Sequence, residues 1–316
     1  MQFFGWQQLS FKSYYSLFMD ASFAKKPEWI RVKLPSGPKF LELKNLVQGL
    51  KLNTVCQEAL CPNIEECWGG GTATFMLMGD TCTRGCRFCH VKTGNPKSVL
   101  DLDEPQKVAD AISQMNLTYV VLTSVDRDDL SDGGASHFSK TVQEIKKKNS
   151  KIIVECLVPD FNGDPKSLDI MLESGAEVLA QNIETVKRLT RKIRDHKSGY
   201  QKTLNVLEYF KKNKPSVFTK SSLMLGFGET DEEIFETMDD LRSVGVDILT
   251  LGQYLQPSKK HVKVESYVHP TRFDYLGKIG RQKGFAFVAA GPLVRSSYRA
   301  GEYFVENLIR QKGQTT

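Results

Sequence analysis

Three cysteines stand close together in the run Cys82-Thr-Arg-Gly-Cys86-Arg-Phe-Cys89. Seven cysteines placed at random over such a chain would form this triplet roughly 0.003 times. Three thiolates are one short of the four ligands that a structural zinc site fills. On a cubane iron–sulfur cluster, three thiolates leave one iron open to another molecule. A second triplet, Cys56, Cys61 and Cys67, lies just ahead of the first. Two incomplete triplets point to two clusters, each with a fourth ligand that is not cysteine. A single six-cysteine site and a pair of zinc sites are the alternatives. His90 follows Cys89 directly and is the candidate fourth ligand of the zinc reading.

Six of the seven cysteines fall between Cys56 and Cys89. Clustered cysteines in a large chain bind metal more often than they build a disulfide framework, and the expected location is cytoplasmic. Cys156 stands apart, in the apolar run Lys151-Ile-Ile-Val-Glu-Cys-Leu-Val158, and reads as a small buried hydrophobe. The chain has 316 residues, 40% of them hydrophobic, enough for one large domain or two ordinary ones. No run of 18 apolar residues exists, so no membrane span is expected. The net charge of +6 tolerates acidic partners and does not identify nucleic acid. The first residues are aromatic, with Phe3, Phe4, Trp6, Phe11, Tyr14 and Tyr15, and carry no Arg before Asp20. They match neither a signal nor a transit peptide, and are expected to be an unstructured arm or to precede a true start at Met19.

Strands and helices must position the triplets. Residues 1–71 read as an irregular extension, with Pro27, Pro35, Pro38 and Pro62. β-rich runs are expected near 72–79, 118–124, 151–158, 177–182, 217–225 and 246–252. Helical stretches are expected near 104–115, 134–149, 165–174, 201–213 and 231–243. Thr230 and Glu233 form a capping box, Pro105 sits in a first helical turn, and Gly175 and Gly245 follow helices. Alternation of this kind predicts a parallel sheet. Six strand–helix units suit a partial (β/α)6 barrel of the TIM type, with chemistry at the C-terminal strand ends. Those ends carry Cys82, then Ser124, Asp126 and Arg127, then Asn182 and Glu184. Gly226, Gly228, Glu229, Gln253, Tyr254 and Gln256 follow.

The spacing of Cys82, Cys86 and Cys89 resembles that of the radical S-adenosylmethionine superfamily. The C-x4-C-x5-C triplet ahead of it resembles the lipoyl synthase family. Further matching stretches are Asp126-Arg-Asp-Asp-Leu-Ser-Asp-Gly-Gly134, Asn182-Ile-Glu-Thr185, Lys220-Ser-Ser-Leu-Met-Leu-Gly-Phe-Gly-Glu-Thr230, Leu251-Gly-Gln-Tyr-Leu-Gln-Pro257, Tyr267-Val-His-Pro270 and Arg295-Ser-Ser-Tyr298. The likeness runs from about Pro27 to Ala300; Gln181, where the family usually has His, and Gly301 depart from it.

The resemblance implies a sulfurtransferase that inserts sulfur at carbons six and eight of a protein-bound octanoyl group. Two 4Fe–4S clusters and S-adenosylmethionine are its implied cofactors. Cys82, Cys86 and Cys89 would hold the cluster that cleaves S-adenosylmethionine. Cys56, Cys61 and Cys67 would hold an auxiliary cluster that is consumed as the sulfur source, with Ser297 as its fourth ligand. The competing role for Ser296 and Ser297 is to cap backbone groups after a strand at 285–290. Ser124, Asn182, Glu184 and Gly228 are candidates to hold the nucleoside. The implied partners are octanoylated lipoyl carrier domains of 2-oxoacid dehydrogenase acyltransferase subunits or the glycine cleavage H protein, and a low-potential electron donor. No nucleic acid and no membrane partner is expected.

The resulting division is 1–71 for the auxiliary-cluster extension, 72–284 for the barrel, and 285–316 for a C-terminal segment that folds back onto the extension. The basic stretch Lys187-Arg-Leu-Thr-Arg-Lys-Ile-Arg194 reads as a solvated helix face, with steering of an acidic carrier as the second reading. Other radical enzymes should lack C-x4-C-x5-C and Arg-Ser-Ser-Tyr. A two-cluster electron carrier would show C-x2-C-x2-C-x3-C-P, absent here. A zinc-stabilised binding module is the third rival.

Overall fold

The computed structural model describes residues 26–30, 38–58, 61, 63, 64, 67, 74–115 and 117–297. The arm before residue 26, with the expected start at Met19, lies outside them. Phe40, Leu43 and Val47 recur at helical spacing behind Pro38 and are buried together in helix α1 (Pro38–Gly49). This helix corrects the expectation that residues 1–71 are irregular. A short strand, β1 (Asn53–Thr54), and one helical turn, α2 (Val55–Glu58), follow; α2 carries Cys56.

The main sheet is built from runs that are mostly buried on both faces, the last strand, at the edge, excepted. They are β2 (Thr74–Leu77), β5 (Tyr119–Ser124), β6 (Ile153–Leu157), β7 (Val178–Ala180), β8 (Phe218–Leu225), β9 (Ile248–Gln253) and β10 (Phe287–Gly291). Their order is β1-β2-β5-β6-β7-β8-β9-β10, with every pair parallel except β1 against β2. Parallel strands covered by helices need apolar side chains on both faces, which is why these runs lack clean alternation. A separate two-stranded ladder pairs β3 (Thr81–Cys82) with β4 (Lys92–Thr93) and carries the first cysteine of the Cys82 triplet.

The crossover helices are α3 (Glu104–Gln114), α4 (Ala135–Lys148), α5 (Pro165–Glu173), α7 (Tyr200–Asn213) and α8 (Asp231–Ser243), with one turn, α6 (Thr190–Ile193), ahead of α7. A sixth, α9 (Pro270–Gln282), was not expected from the sequence. It starts at Pro270 behind a His269 cap and buries Phe273 and Leu276, and it completes six strand–helix units before β10. The sheet is therefore an open, partial barrel; β1 and β10 are its edges among the described residues. Local signals hold: Thr230 and Glu233 exchange both capping-box bonds, and Gly175 and Gly245 take φ of +95° and +79°.

The lower part of the barrel is filled. Tyr119, Val121, Ile153, Val178 and Ile248 form one apolar cluster. Above it, Lys220 Nζ pairs with both oxygens of Glu155 at 2.7 and 2.8 Å, and Tyr119 donates to Glu155 at 2.6 Å. Removing one partner of such a buried pair typically costs ~3–5 kcal/mol, so the trio anchors three strands at once. Cys156 is fully buried on β6, as expected of a structural cysteine.

Candidate functional site

The Cys82 loop runs across the C-terminal ends of the strands. The amides of Arg84 and Asp126 donate to Cys82 Sγ at 3.4 and 3.3 Å, and the Asp195 amide donates to Cys86 Sγ at 3.4 Å. His261 Nε2 lies 3.0 Å from the Cys89 carbonyl. Burial pushes the Cys82 thiol up to about 12, with Asp126 adding to it, and pushes Cys89 up to about 11. The three sulfurs feel one another and the same neighbours: Cys89 acts on Cys82, Cys86 on Cys89, and Glu184 and Asp126 on both Cys86 and Cys89. Donors aimed at a thiolate sulfur are the kind of outer contact that orients metal ligands.

The segment after β7 faces this loop. Burial raises the Glu184 carboxyl, while Arg194 and a hydrogen bond from Asn182 oppose the rise. Arg194 Nη1 donates to Thr203 Oγ1 at 2.9 Å, and its charge also acts on Cys86. This corrects the reading of residues 187–194 as one solvated face. Leu189, Thr190 and Ile193 are buried and Arg194 turns inward, while Arg188 pairs outside with Glu233 at 2.6 Å.

Several buried polar atoms here have no partner among the described residues: Ser124 Oγ, Gln181 Oε1, Asn182 Oδ1, Thr185 Oγ1, Arg194 Nε and Thr250 Oγ1. Buried polar atoms are nearly always satisfied, so these exceptions are the atoms left over for a polar ligand or water to pair. Of the four nucleoside candidates, Glu184 acts on Cys86 and Cys89, Asn182 bonds Glu184, and Ser124 ends β5 with its hydroxyl unpaired. Gly228 sits in the loop after β8, where its carbonyl accepts from Arg188 at 2.8 Å. Arg194, Asp126 and Asp195 were not among the candidates. Asp126 stood at a strand end and carried the signal; Arg194 was masked by its basic neighbours.

The second triplet meets the other end of the chain. Cys56 and Cys67 are buried and Cys61 is half-buried, and none of the three is in a disulfide. The Cys61 amide donates to the Cys56 carbonyl at 3.1 Å, and the Cys67 amide to the Asn63 carbonyl at 2.9 Å. Buried Asn63 donates from Nδ2 to the Leu293 carbonyl at 2.7 Å. Burial raises the Cys61 thiol, and the charge of Arg295 opposes the rise. Ser296 and Ser297 are half-buried in the turn that follows. The segment after β10 thus packs back against the segment that carries the second triplet.

The segments that carry the two triplets also touch. His90, next to Cys89, places Nδ1 3.0 Å from the carbonyl of Glu58, two residues beyond Cys56. Among the described residues, no three His, Cys, Asp or Glu side chains form a single-ion site. Each triplet offers three thiols, a soft donor set that suits iron–sulfur clusters better than oxygen-ligated ions.

Comparison with known proteins agrees with this geometry. Residues 76–241 match the model of the radical SAM superfamily, and residues 16–61 match the N-terminal domain of lipoyl synthase of that family. Membership brings a 4Fe–4S cluster and S-adenosylmethionine. The chain is 60% identical over 285 residues to the lipoyl synthase of Ectopseudomonas mendocina (strain ymp), covering 90% of this chain and 81% of the relative. It is 58% identical over 281 residues to that of Thermus thermophilus, covering 89% and 87%. It is 55% identical over 291 residues to the mitochondrial lipoyl synthase of Danio rerio, covering 90% and 73%. In fold it is similar to methylornithine synthase, with a TM-score of 0.51 at 15% identity over 82% of this chain and 84% of that one. It is also similar to the FeFe-hydrogenase maturase HydG of Carboxydothermus hydrogenoformans, with a TM-score of 0.52 at 13% identity over 86% and 78%. With the cysteine loop at the mouth of a partial barrel and relatives of this identity along most of its length, the chain belongs to the lipoyl synthase family of radical SAM sulfurtransferases.

Proposed function

We propose that this chain inserts two sulfur atoms, at carbons six and eight of an octanoyl group held on a lysine of a lipoyl carrier domain. The observation that supports this most is the pair of cysteine triplets, joined through His90 and Glu58 at 3.0 Å. Other radical enzymes are expected to lack the C-x4-C-x5-C spacing of Cys56, Cys61 and Cys67 together with the run from Arg295 to Tyr298.

In this reading Cys82, Cys86 and Cys89 hold one 4Fe–4S cluster, and Cys56, Cys61, Cys67 and Ser297 hold a second. When bound, these clusters and S-adenosylmethionine supply the electron, the hydrogen-abstracting chemistry and the sulfur. The chain's own work is to place and enclose. Ser124, Asn182, Glu184 and Gly228 are the proposed nucleoside contacts, and the unpaired Ser124 hydroxyl and Asn182 carbonyl oxygen support the first two. The inward guanidinium of Arg194, with Nε unpaired, is suited to a carboxylate. The filled barrel floor closes the site from below and excludes water. The charge of Arg295 acts on Cys61, and Arg295 stands two residues ahead of Ser297, which supports that serine as the fourth ligand.

The division into 1–71, 72–284 and 285–316 follows from these roles. The partners would be octanoylated carrier domains of acyltransferase subunits or the glycine cleavage H protein, with a low-potential electron donor. No described helix is long and apolar enough to cross a membrane. Seven cysteines without a disulfide among the described residues support a reducing compartment, and we place the chain in the cytoplasm.

The test is an anaerobic assay of the reconstituted chain with an octanoyl-lysine carrier peptide and S-adenosylmethionine. A lipoyl peptide is the expected product, from protein holding about eight irons. Stoichiometric zinc without iron, or cleavage of S-adenosylmethionine with no sulfur in the peptide, would refute the reading.

A further inference from the structure

Arg84 stands between Cys82 and Cys86 and is only 4% exposed. Its Nη1 and Nη2 bind the two oxygens of Asp160 at 2.8 and 2.7 Å. Its Nε and Nη2 bind the two oxygens of Asp128 at 3.1 and 2.9 Å. Nη1 also lies 3.4 Å from Asp126 and 3.4 Å from Ser198 Oγ. Asp126 and Asp128 follow β5, Asp160 follows β6, and Ser198 precedes α7. One side chain from the cysteine loop therefore grips three separate strand and helix ends.

We infer that Arg84 is a positioning residue that holds the cysteine loop in its iron-binding shape, through Asp160 and Asp128, before any cluster is bound. Two paired carboxylates call for the planar fork of arginine; the point charge of lysine cannot bond both in parallel. The grip is local to the ligands. The Arg84 amide donates to Cys82 Sγ, and the next amide, Gly85, donates to Asp195 Oδ2 at 2.9 Å. Asp195 in turn donates its amide to Cys86 Sγ. A rotation of Arg84 would move donors to two of the three sulfurs. Charge is balanced nearby, with Lys197 3.3 Å from Asp128 and Lys202 4.0 Å from Asp160. The clamp is built entirely from side chains of the chain itself.

The inference rests on Cys82, Cys86 and Cys89 being the ligands, but its first test needs no iron. Hydrogen exchange on the iron-free full chain reads the Arg87 and Cys89 amides, bonded at 2.9 and 3.0 Å to Ile193 and Cys86. Asp160→Asn and Arg84→Lys are expected to speed their exchange about tenfold or more while the amides of β8 stay protected. Asp128→Asn, at the more exposed end of the clamp, is expected to act in the same direction and covers the case in which Asp160→Asn does not fold. In reconstituted Arg84→Lys, the change that S-adenosylmethionine makes in the electron paramagnetic resonance signal of the reduced site cluster should weaken. The second cluster's signal should persist. Loop exchange unchanged in every folded variant would overturn the inference, and so would equal acceleration in the loop and β8. A chain that takes up no iron through these cysteines would overturn the ligand assignment and leave the exchange result standing.

Discussion

Asn63 and Leu293 are 230 positions apart and joined by one 2.7 Å hydrogen bond, from a buried side-chain amide to a backbone carbonyl. This bond ties the segment carrying Cys56, Cys61 and Cys67 to the segment that ends in Ser297. Asn63→Ala leaves the Leu293 carbonyl without its donor, at a cost of about 1–2 kcal/mol. The expected result is roughly tenfold faster tryptic cleavage at Arg295, since 1.4 kcal/mol is a factor of about ten in a local opening equilibrium. Cleavage at the wild-type rate would show that the contact does not hold the segment.

Gly252 on β9 tests the same docking from the barrel side. A Cβ there would run into the Val294 carbonyl, which is backbone and cannot turn away. Gly252→Ala is expected to cost about 1–3 kcal/mol, as overpacking does, and to free residues 291–297 more than it destabilises the sheet. Thermal unfolding combined with proteolysis separates the two effects. An unchanged melting temperature with an unchanged cleavage rate would contradict this packing.

Ser297 is the proposed oxygen ligand of the second cluster. A serine oxygen is harder than a thiolate and holds soft iron less firmly. Ser297→Cys should keep its second cluster, read as about eight irons, and transfer sulfur poorly. Ser297→Ala that delivered both sulfurs at the normal rate would remove this serine from the chemistry.

Asp128 gives a pH dependence with a definite sign. Burial works to raise its carboxyl, and Arg84, Thr83 and Lys197 outweigh burial and hold it at about 2. Its folded value lies below its unfolded one, so the charged form stabilises the fold. That contribution is complete above about pH 4 and fades as pH falls toward about 2; for a partly exposed group it is at most about 2 kcal/mol. Asp128→Asn should flatten the acid limb of the iron-free chain's stability curve in that window. An acid limb as steep as in the wild type would contradict the pairing.

The sequence carried the fold wherever signals were local. The buried runs, the Thr230–Glu233 capping box and the glycines after helices located five of the crossover helices and every strand of the parallel sheet. Helix α1 escaped because Pro38 was counted as a mark of irregular chain, and α9 because no helix was expected after residue 243, although Pro38 and Pro270 both occupy first turns, where proline costs little. The cysteine triplets were legible because spacing and residue type are both in the sequence. The clamp on Arg84 was not: Asp128 and Asp160 lie 44 and 76 positions away, and only the folded sheet brings those strand ends together. Arg194 was hidden by its exposed basic neighbours, since charge patterning does not show which side chain of a short turn faces inward.

The most direct test of the account separates the two triplets. A chain with Cys56, Cys61 and Cys67 replaced by Ala, reconstituted anaerobically, would be given the octanoyl carrier peptide, S-adenosylmethionine and a reductant. It should retain about four irons, cleave S-adenosylmethionine and release no lipoyl peptide, because the site cluster stays and the proposed sulfur source is gone. Lipoyl peptide formed by this variant would contradict the central claim.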